Sequence, residues 1–197
     1  KKTVLSYQYY LGSDLIETIP SYKYLDVKLT SGLSWNNHIE AILKLILYNT
    51  LVRSKLEYAS SIWDSHTNSP ILQIEAIQSR SAGFIFSNYF RTASFTSMKS
   101  NLNLPDLSLR RKLSRLCLFH KVYHFNSLLS DSLFLPPSYI SSRSDHQFKV
   151  GVPSSRTNLH FHSFIPKTCT DWNHLPASIA SITDTDRFKS AICNHFL

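Results

Sequence analysis

The stretch DLSLRRKLSRLCLFHKVY, residues 106 to 123, combines an apolar repeat with a dense run of positive charge. Asp106 suits the N-cap of a helix, and the apolar residues that follow recur at helical spacing. The apolar side comprises Leu109, Leu113, Leu116 and Tyr123, and the positive charge comes from Arg110, Arg111, Lys112, Arg115 and Lys121. The stretch predicts a strongly basic amphipathic helix whose apolar side needs to be covered by other elements.

The sequence before this stretch predicts a hairpin and two further helical regions. Residues 4 to 29 are rich in β-forming residues with turn signals between them, which favours a small antiparallel hairpin. Apolar residues recur at helical spacing from Ile39 to Leu56, which indicates one long helix or two in succession, with Asn36 or Asn37 as the cap.

Helix signals flank the basic stretch on both sides. Ser69 followed by Pro70 is typical of a helix start, and that helix is predicted to run to about Ser87. Residues 126 to 164 lose the periodicity and predict a long irregular segment. A last helix is predicted over residues 185 to 196. The fold class expected is mainly α with a small N-terminal antiparallel β-hairpin, in which a helical bundle precedes a loop-rich, partly helical C-terminal region.

Composition limits the possible partners. Lys and Arg total 21 against 13 Asp and Glu, which gives a formal net charge of +8 and favours nucleic acid or an anionic membrane surface. No apolar run approaches the roughly 18 residues of a membrane span, so nucleic acid is the favoured interpretation. The 3 cysteines are widely spaced, which fits an intracellular, reduced protein without a disulfide framework.

The run from Arg110 to Arg115 places four cations within two helical turns, an arrangement that phosphate contacts use. A solvated helix face is the alternative, since charge runs on helices often have no partner. Tyrosines near the basic residues could stack on bases, or could be half-buried core residues. They are Tyr22, Tyr24, Tyr48, Tyr58 and Tyr89.

The sequence offers no catalytic centre. Two-metal phosphoryl transfer needs clustered carboxylates, and the closest aspartates, Asp184 and Asp186, suit the start of a helix better. Histidines occur in two pairs, at 120 and 124 and at 160 and 162. Two ligands do not make a metal site, so no metal is predicted, and the histidines are interpreted as surface or RNA-contacting residues.

Several strings resemble, in the same order, the region after the catalytic box in reverse transcriptases of non-LTR retrotransposons. The similar elements are LINE-like and jockey-type, especially the arthropod elements called tick transposons. The strings are KT at residues 2–3, YKYLDV at 22–27, LSWNNHI at 33–39, YNTLVRSKLEYA at 48–59, WD at 63–64, IEAIQSR at 74–80, LPDLSLRRK at 104–112, SFIPKT at 163–168 and DWNHLP at 171–176.

The resemblance implies three regions: the end of the palm with the primer-grip hairpin (1–33), a helical thumb-like region (34–127), and a loop-rich post-thumb region with a C-terminal helix (128–197). Three positions and one missing stretch depart from the family pattern. Asp26 replaces a turn glycine, Ser65 a proline and Gly83 an arginine, and a helical stretch is missing near residues 40–41.

The expected function is that of a non-catalytic C-terminal fragment of an RNA-directed DNA polymerase. By resemblance, the primer-grip-like residues are Tyr24, Leu25 and Asp26, and the nucleic-acid-binding residues are Arg53, Arg80, Arg110, Arg111, Lys112 and Arg115. No cofactor is expected, because Mg²⁺ is implied only for the missing palm.

The expected partners are RNA and DNA as primer and template, without a membrane or a small-molecule substrate, and the oligomeric state is left open. The family suggests the cytoplasm and nucleus as location. Two alternatives remain: an independent nucleic-acid-binding module, and an inactive translated relic without a biochemical role.

Overall fold

The computed structural model describes residues 8–17, 19–24, 27–32, 34–90, 93–143 and 145–196. The chain forms two compact units, residues 1–47 and residues 48–197. The division predicted at 33/34 falls inside the first unit, and the one predicted at 127/128 falls inside the second.

Two antiparallel hairpins precede a helix in the first unit. Strand β1 (Tyr9–Leu11) pairs with β2 (Asp14–Ile16), and β3 (Ser21–Tyr24) pairs with β4 (Val27–Thr30). Gly12, between the first two strands, has a φ of +66°, a left-handed conformation that glycine adopts without steric cost. The predicted N-terminal hairpin is confirmed, and the structure adds a second one.

Helix α1 (Asn36–Leu47) begins at one of the two asparagines predicted to cap it. Lys44 Nζ lies 2.6 Å from Glu40 Oε1, one helical turn away, where opposite charges favour the helix. The helix runs unbroken through residues 40 and 41, the position at which the resemblance implies a deletion.

The second unit is helical. It begins with a π-helical segment (Tyr48–Arg53) and α2 (Ser54–Glu57). Its longer helices are α3 (Asn68–Phe86), α4 (Phe95–Asn101), α5 (Leu107–Phe125), α6 (Ser127–Leu133), α8 (Phe164–Asn173) and α10 (Thr185–Phe196), and the short ones are α7 (Asn158–Phe161) and α9 (Ala177–Ala180). The chain is therefore mainly helical, as predicted. Within the described ranges, no helix has both the length and the apolar composition that crossing a bilayer requires.

The core of the second unit surrounds α5, the predicted basic helix. Leu116 and Phe119 of α5 are fully buried against Trp172 of α8 and against Phe188 and Ile192 of α10. Burial of large apolar side chains contributes about 25 cal/mol per Å² removed from water. The apolar side of α5 is thus covered by C-terminal helices, which joins the basic stretch and the last helix in one core.

Carboxylates stabilise the starts of α5 and α10 in different ways. Asp184 Oδ1 accepts a hydrogen bond of 2.7 Å from the backbone N–H of Arg187, which confirms the predicted capping role at α10. Asp106 occupies the N-cap of α5, but its side chain binds Lys99 instead. The backbone N–H of Ser108 in α5 donates a hydrogen bond of 3.0 Å to Glu75 Oε1 of α3.

The segment from 126 to 164 is more ordered than predicted. Asn126 accepts a hydrogen bond from the N–H of Leu129 and caps α6. Leu135 and Gly151 form an antiparallel bridge, and a Cβ at Gly151 would lie 2.6 Å from the carbonyl oxygen of Pro136. Only glycine permits this close approach of the two chain segments. The predicted irregular segment is therefore irregular only between its helices and this bridge.

Candidate functional site

Four basic residues of α5, at positions 110, 111, 112 and 115, lie against carboxylates. Arg111 and Arg115 expose only 1% and 2% of their surface, although the sequence assigned them to phosphate contact. Since charged side chains are rarely buried without a partner, their surroundings decide what they do. In this structure both side chains are directed to carboxylates and not to solvent, and their contact with phosphate stays a prediction.

Three cations bind the carboxylate of Asp64. Asp64 follows Trp63 in the loop after α2 and its side chain is 9% exposed. Its Oδ1 accepts a hydrogen bond of 2.8 Å from Arg111 Nε, and its Oδ2 accepts one of 2.6 Å from Lys167 Nζ and another from Arg115 Nη1. Charge-assisted hydrogen bonds of this kind are about twice as strong as neutral ones.

Asp171 extends this network along α5. Its Oδ2 accepts a hydrogen bond of 2.7 Å from Arg115 Nη2, and its Oδ1 lies 3.0 Å from Lys112 Nζ. The Lys112 ammonium also lies 4.5 Å from the ring centroid of Phe196, a cation–π distance. We call the set the Asp64 cluster, and its members are Asp64, Arg111, Lys112, Arg115, Lys167 and Asp171.

The cations of the Asp64 cluster keep its central carboxylate ionised. Burial alone would raise the pKa of Asp64, but hydrogen bonds from Lys167 and Arg111, together with the charge of Arg115, outweigh burial and lower the pKa below its usual value. Asp64 therefore carries its negative charge at neutral pH.

The Asp64 cluster contains more hydrogen-bond donors than acceptors. Nη1 and Nη2 of Arg111 and Nε of Arg115 are buried without a hydrogen-bond partner among the described residues. Buried polar groups usually have partners, because each missing bond costs roughly 1–3 kcal/mol. These three N–H groups therefore lower the net stability that the cluster contributes.

A second ion-pair cluster holds the remaining predicted cations of this region. Glu57 Oε1 lies 2.8 Å from Arg53 Nε, and Glu57 Oε2 accepts a hydrogen bond of 2.8 Å from Arg110 Nη2. Burial would raise the pKa of Glu57, but the hydrogen bonds from the two arginines lower it below its usual value. Arg53 and Arg110 are partly exposed, so they can be reached from solvent despite their shared partner.

Among the predicted nucleic-acid-binding residues, Arg80 has a different environment. It lies exposed on α3 and makes no ion pair in the described part of the chain. Other exposed cations without an ion pair among the described residues are Lys55, Lys121, Arg143, Arg156, Arg187 and Lys189. Tyr24, at the end of β3, is 59% exposed, and Leu25 and Asp26 lie outside the described residues.

A buried glutamine connects three of the strings that carry the family resemblance. Gln78 of α3 is 1% exposed, and its Oε1 accepts a hydrogen bond of 3.1 Å from the Tyr48 hydroxyl. Its Nε2 donates to the carbonyl oxygens of Leu104 and Pro105, at 3.3 and 3.0 Å. Tyr48 is therefore a core residue, which is the second of the two interpretations that its sequence left open.

A cleft adjoins the Asp64 cluster. It has a volume of about 430 Å³ and lies between residues 61–66 and residues 159–164, with Asp64 and Arg115 in its wall. Trp63 and Phe164 also line it, together with His66 and His162. The two imidazole rings are stacked, with centroids 4.7 Å apart and planes inclined by 3°. The cleft thus combines aromatic surfaces with a charged wall.

The predicted histidine pairs have different roles. His120 is fully buried, its Nε2 is 2.7 Å from the carbonyl oxygen of Ile182, and its ring stacks on Phe188. Interpretation of His120 as a surface residue was wrong, because it belongs to the core between α5 and α10. His160 binds the hydroxyl of Ser155. In the described ranges, no three His, Cys, Asp or Glu side chains are grouped in a way that could hold a metal ion.

Asp64, Lys167 and Asp171 were not singled out as site residues by the sequence. Each lies in a string already noted for its resemblance, at WD, SFIPKT and DWNHLP. A signal was present, since a buried helix with several cations requires carboxylates elsewhere in the chain. Which carboxylates serve it depends on contacts across 47 to 56 residues of sequence, which periodicity does not reveal. No protein-family model, curated protein or solved structure matches the chain.

Proposed function

We propose that the chain is a non-catalytic C-terminal part of a non-LTR retrotransposon reverse transcriptase, which contacts the primer and template nucleic acid. The chemistry of polymerisation belongs to a palm domain outside this chain. An intracellular location, in the cytoplasm and nucleus, is part of the same proposal.

The observation that carries the proposal is the meeting of the resembling strings. WD contributes Asp64, LPDLSLRRK contributes Arg111, and SFIPKT contributes Lys167, and the Asp64 carboxylate binds both of the other side chains directly. Asp171 of DWNHLP joins them through Arg115. Strings that resembled a family separately are expected to meet if they descend from one folded region, whereas chance matches have no reason to do so.

The charge distribution supports a nucleic-acid partner. The formal net charge of +8 remains after every pairing inside the protein, because an ion pair contributes no net charge. The excess resides on cations such as Arg80, Lys121 and Lys189, which are exposed. Exposed lysine and arginine release counterions when they neutralise phosphates, which favours binding at low salt.

The proposal assigns the predicted cations to two roles. Arg80 contacts phosphates, with Arg53 and Arg110 as partly exposed contributors. Arg111 and Arg115 hold α5 to the loop after α2 and to α8 through the Asp64 cluster. Lys112 is shared between these roles, since it pairs with Asp171 and is 31% exposed.

The proposal is tested by fluorescence anisotropy with single-stranded RNA, duplex DNA and an RNA–DNA primer–template hybrid, each at several salt concentrations. The logarithm of Kd is expected to rise linearly with the logarithm of the salt concentration, with a slope of roughly +0.9 per phosphate neutralised on duplex DNA. Affinity that does not change with salt, or no binding at low salt, would contradict the proposal.

A primer-extension assay tests the proposal that the chain does not catalyse polymerisation. With Mg²⁺ and nucleotides supplied, the chain alone is expected to leave the primer length unchanged, since clustered carboxylates are what two-metal phosphoryl transfer uses. Metal-dependent extension by the purified chain would show that it polymerises by itself.

A second candidate, an independent nucleic-acid-binding module, is favoured by the core of residues 48–197. A unit with its own buried core is able to fold by itself. This candidate predicts that the chain binds nucleic acid tightly without a palm domain, whereas the first predicts that affinity rises when the palm is supplied.

A further inference from the structure

The 3 cysteines, which are widely spaced in the sequence, have different surroundings in the folded chain. Cys169 of α8 is fully buried, and burial raises the pKa of its thiol to about 11. Cys117 of α5 and Cys193 of α10 are only partly buried, at the edge of the same core. Since a buried, protonated thiol is inert, chemistry at sulfur concerns Cys117 and Cys193.

Two contacts between α5 and α10 bracket these two cysteines. In the first part of α5, the Lys112 ammonium lies 4.5 Å from the ring centroid of Phe196, at the end of α10. Farther along α5, the His120 ring stacks on Phe188 in the first part of α10, with centroids 4.1 Å apart. The two helices are therefore antiparallel. Each cysteine lies between the two contacts on its own helix, so the thiols are at nearly the same level of the helix pair.

The electrostatic neighbours of Cys117 show that both cysteines also lie on one side of the helix pair. Lys121 follows Cys117 by one turn of α5, and Lys189 precedes Cys193 by one turn of α10. Burial raises the pKa of Cys117, and among nearby charges Lys189 lowers it, Cys193 raises it and Lys121 lowers it. Because only groups close to a thiol act on its pKa in this way, the two cysteines and the two lysines form one patch.

The packing of α5 on α10 suits a covalent link between these positions. Packed helices lie roughly 8–10 Å apart axis to axis, with Cα atoms about 2.3 Å from each axis. Facing Cα atoms can therefore come within the roughly 4.4–6.8 Å that a disulfide spans. Cys193 lies in the last turn of α10 (Thr185–Phe196), where a helix frays and adjusts most easily.

From these features we propose that Cys117 and Cys193 are an oxidation site of this protein, at which a reversible disulfide joins α5 to α10. Both are free thiols in this structure, which is the reduced state of the site. The inference goes beyond the proposed function and does not depend on it.

The reaction balances with hydrogen peroxide as the oxidant. One thiolate attacks a peroxide oxygen, the O–O bond breaks, and the leaving hydroxide takes up a proton to become water. The other thiolate then attacks the sulfur of the sulfenic acid, the S–S bond forms, the S–O bond breaks and a second water leaves. The two thiols lose two electrons, and one peroxide is reduced to two waters. A small thiol such as glutathione reverses the link by exchange.

The test treats the full chain with hydrogen peroxide, quenches exchange with acid and alkylates the remaining thiols. Mass spectrometry of the digested protein then maps the linked peptides. Cys117→Ser and Cys193→Ser each remove one partner. Cys169→Ala is the matched control, because it removes a cysteine outside the pair, and circular dichroism verifies that each variant is folded.

The wild type and Cys169→Ala are expected to lose two thiols and to yield a peptide in which positions 117 and 193 are linked. Neither serine variant is expected to form a disulfide within one chain. The link should form faster at about pH 9 than at about pH 7, because burial raises the pKa of Cys117 and the thiolate is the reacting form. Oxidised protein should melt about 5–15 °C above reduced protein, since the link closes a long loop, and dithiothreitol should reverse the shift.

Several results would overturn the inference. They are a disulfide that includes Cys169, links only between separate chains, or oxidation of the two thiols to acids without a link. Thiols that survive in folded wild type, under conditions that oxidise a free cysteine peptide, would overturn it as well. The peptide map of the wild type decides the question even where a serine variant does not fold, and nucleic-acid binding is measured separately.

Discussion

Asp64 shows how one carboxylate can decide the role of several cations. Arg111 and Arg115 form half of the four-cation motif that suggested phosphate contact, yet both are buried on Asp64 or Asp171. The cations without such a partner among the described residues, including Arg80, are scattered along the chain. At the scale of single residues, burial separates the structural arginines from those that are free to bind.

Asp64→Asn is expected to destabilise the second unit by about 3–5 kcal/mol. The change leaves Arg111, Arg115 and Lys167 without their common anion, and an unpaired buried charge is costly. Chemical denaturation, followed by circular dichroism, measures the free energy of unfolding. Asp106→Asn is the control, because Asp106 is 62% exposed in its pair with Lys99 and should cost less than about 1 kcal/mol. Equal losses in the two variants would contradict the central place given to Asp64.

His120 predicts a pH dependence of stability. Burial lowers its pKa below the usual 6.5, only partly offset by its bond to the Ile182 carbonyl and by Asp184. Because the folded state binds this proton less readily than the unfolded state, stability is full above about pH 6.5 and decreases as the pH falls below that value. His124 shifts in the same direction, again with burial as the largest cause.

Replacement of His120 tests the sign of this effect. In His120→Gln, the free energy of unfolding should change less between about pH 7 and pH 5.5 than it does in the wild type. His195→Gln, at an exposed position, is the control. A wild-type stability that rises on acidification over this range would contradict the assignment.

Sequence patterns identified several residues of the site, but they did not identify which residues contact one another. Arg111, Lys112 and Arg115 were recognised as one basic group, and Asp184 was recognised as a cap. Their carboxylate partners were missed because Asp64 lies 47 residues from Arg111, and no local pattern reports such a contact.

At the scale of elements, the helices with strong periodicity were predicted well. Helix α5 begins one residue after the predicted cap, and α10 has the predicted bounds. The helices that were not predicted are α4, α6, α7, α8 and α9. All but α8 have 4 to 7 residues, too few to show a repeat. The caps of α6 at Asn126 and of α7 at Thr157 were available signals.

Gly83 shows why an element can depart from a family pattern. It is buried in α3, where an added Cβ would lie 3.1 Å from the carbonyl oxygen of Asn88 and 3.2 Å from Phe95 Cε1. The C-terminal turn of α3 and the start of α4 are therefore close to the helix at this point. An arginine, which the resemblance implies at this position, would press against both of these neighbours.

Gly83→Arg is expected to destabilise the protein by about 1–3 kcal/mol or more, because overpacking forces neighbouring atoms apart. Gln73→Arg, at an exposed position of the same helix, should change stability by less than about 0.5 kcal/mol. Thermal unfolding of both variants measures the difference. If the Gly83 variant is as stable as the Gln73 variant, α3 and α4 are not packed as described.

At the scale of the whole molecule, some of the basic residues form ion pairs that hold the helices together. The Asp64 cluster joins α5 to α8 and to the loop after α2, and the aromatic core joins α5 to α10. The cations on the exposed sides of these helices remain available to bind a partner. One set of basic residues therefore builds the unit, and we propose that the other set binds nucleic acid.

The most direct test of this separation is the salt dependence of nucleic-acid binding by a triple variant. Arg80, Lys121 and Lys189 are exposed and have no ion pair among the described residues, and all three are changed to serine. We expect the variant protein to keep its melting temperature and to bind duplex DNA more weakly, with a slope of log Kd against log salt that is smaller by up to about 3 × 0.9. A slope and an affinity equal to those of the wild type would contradict this expectation.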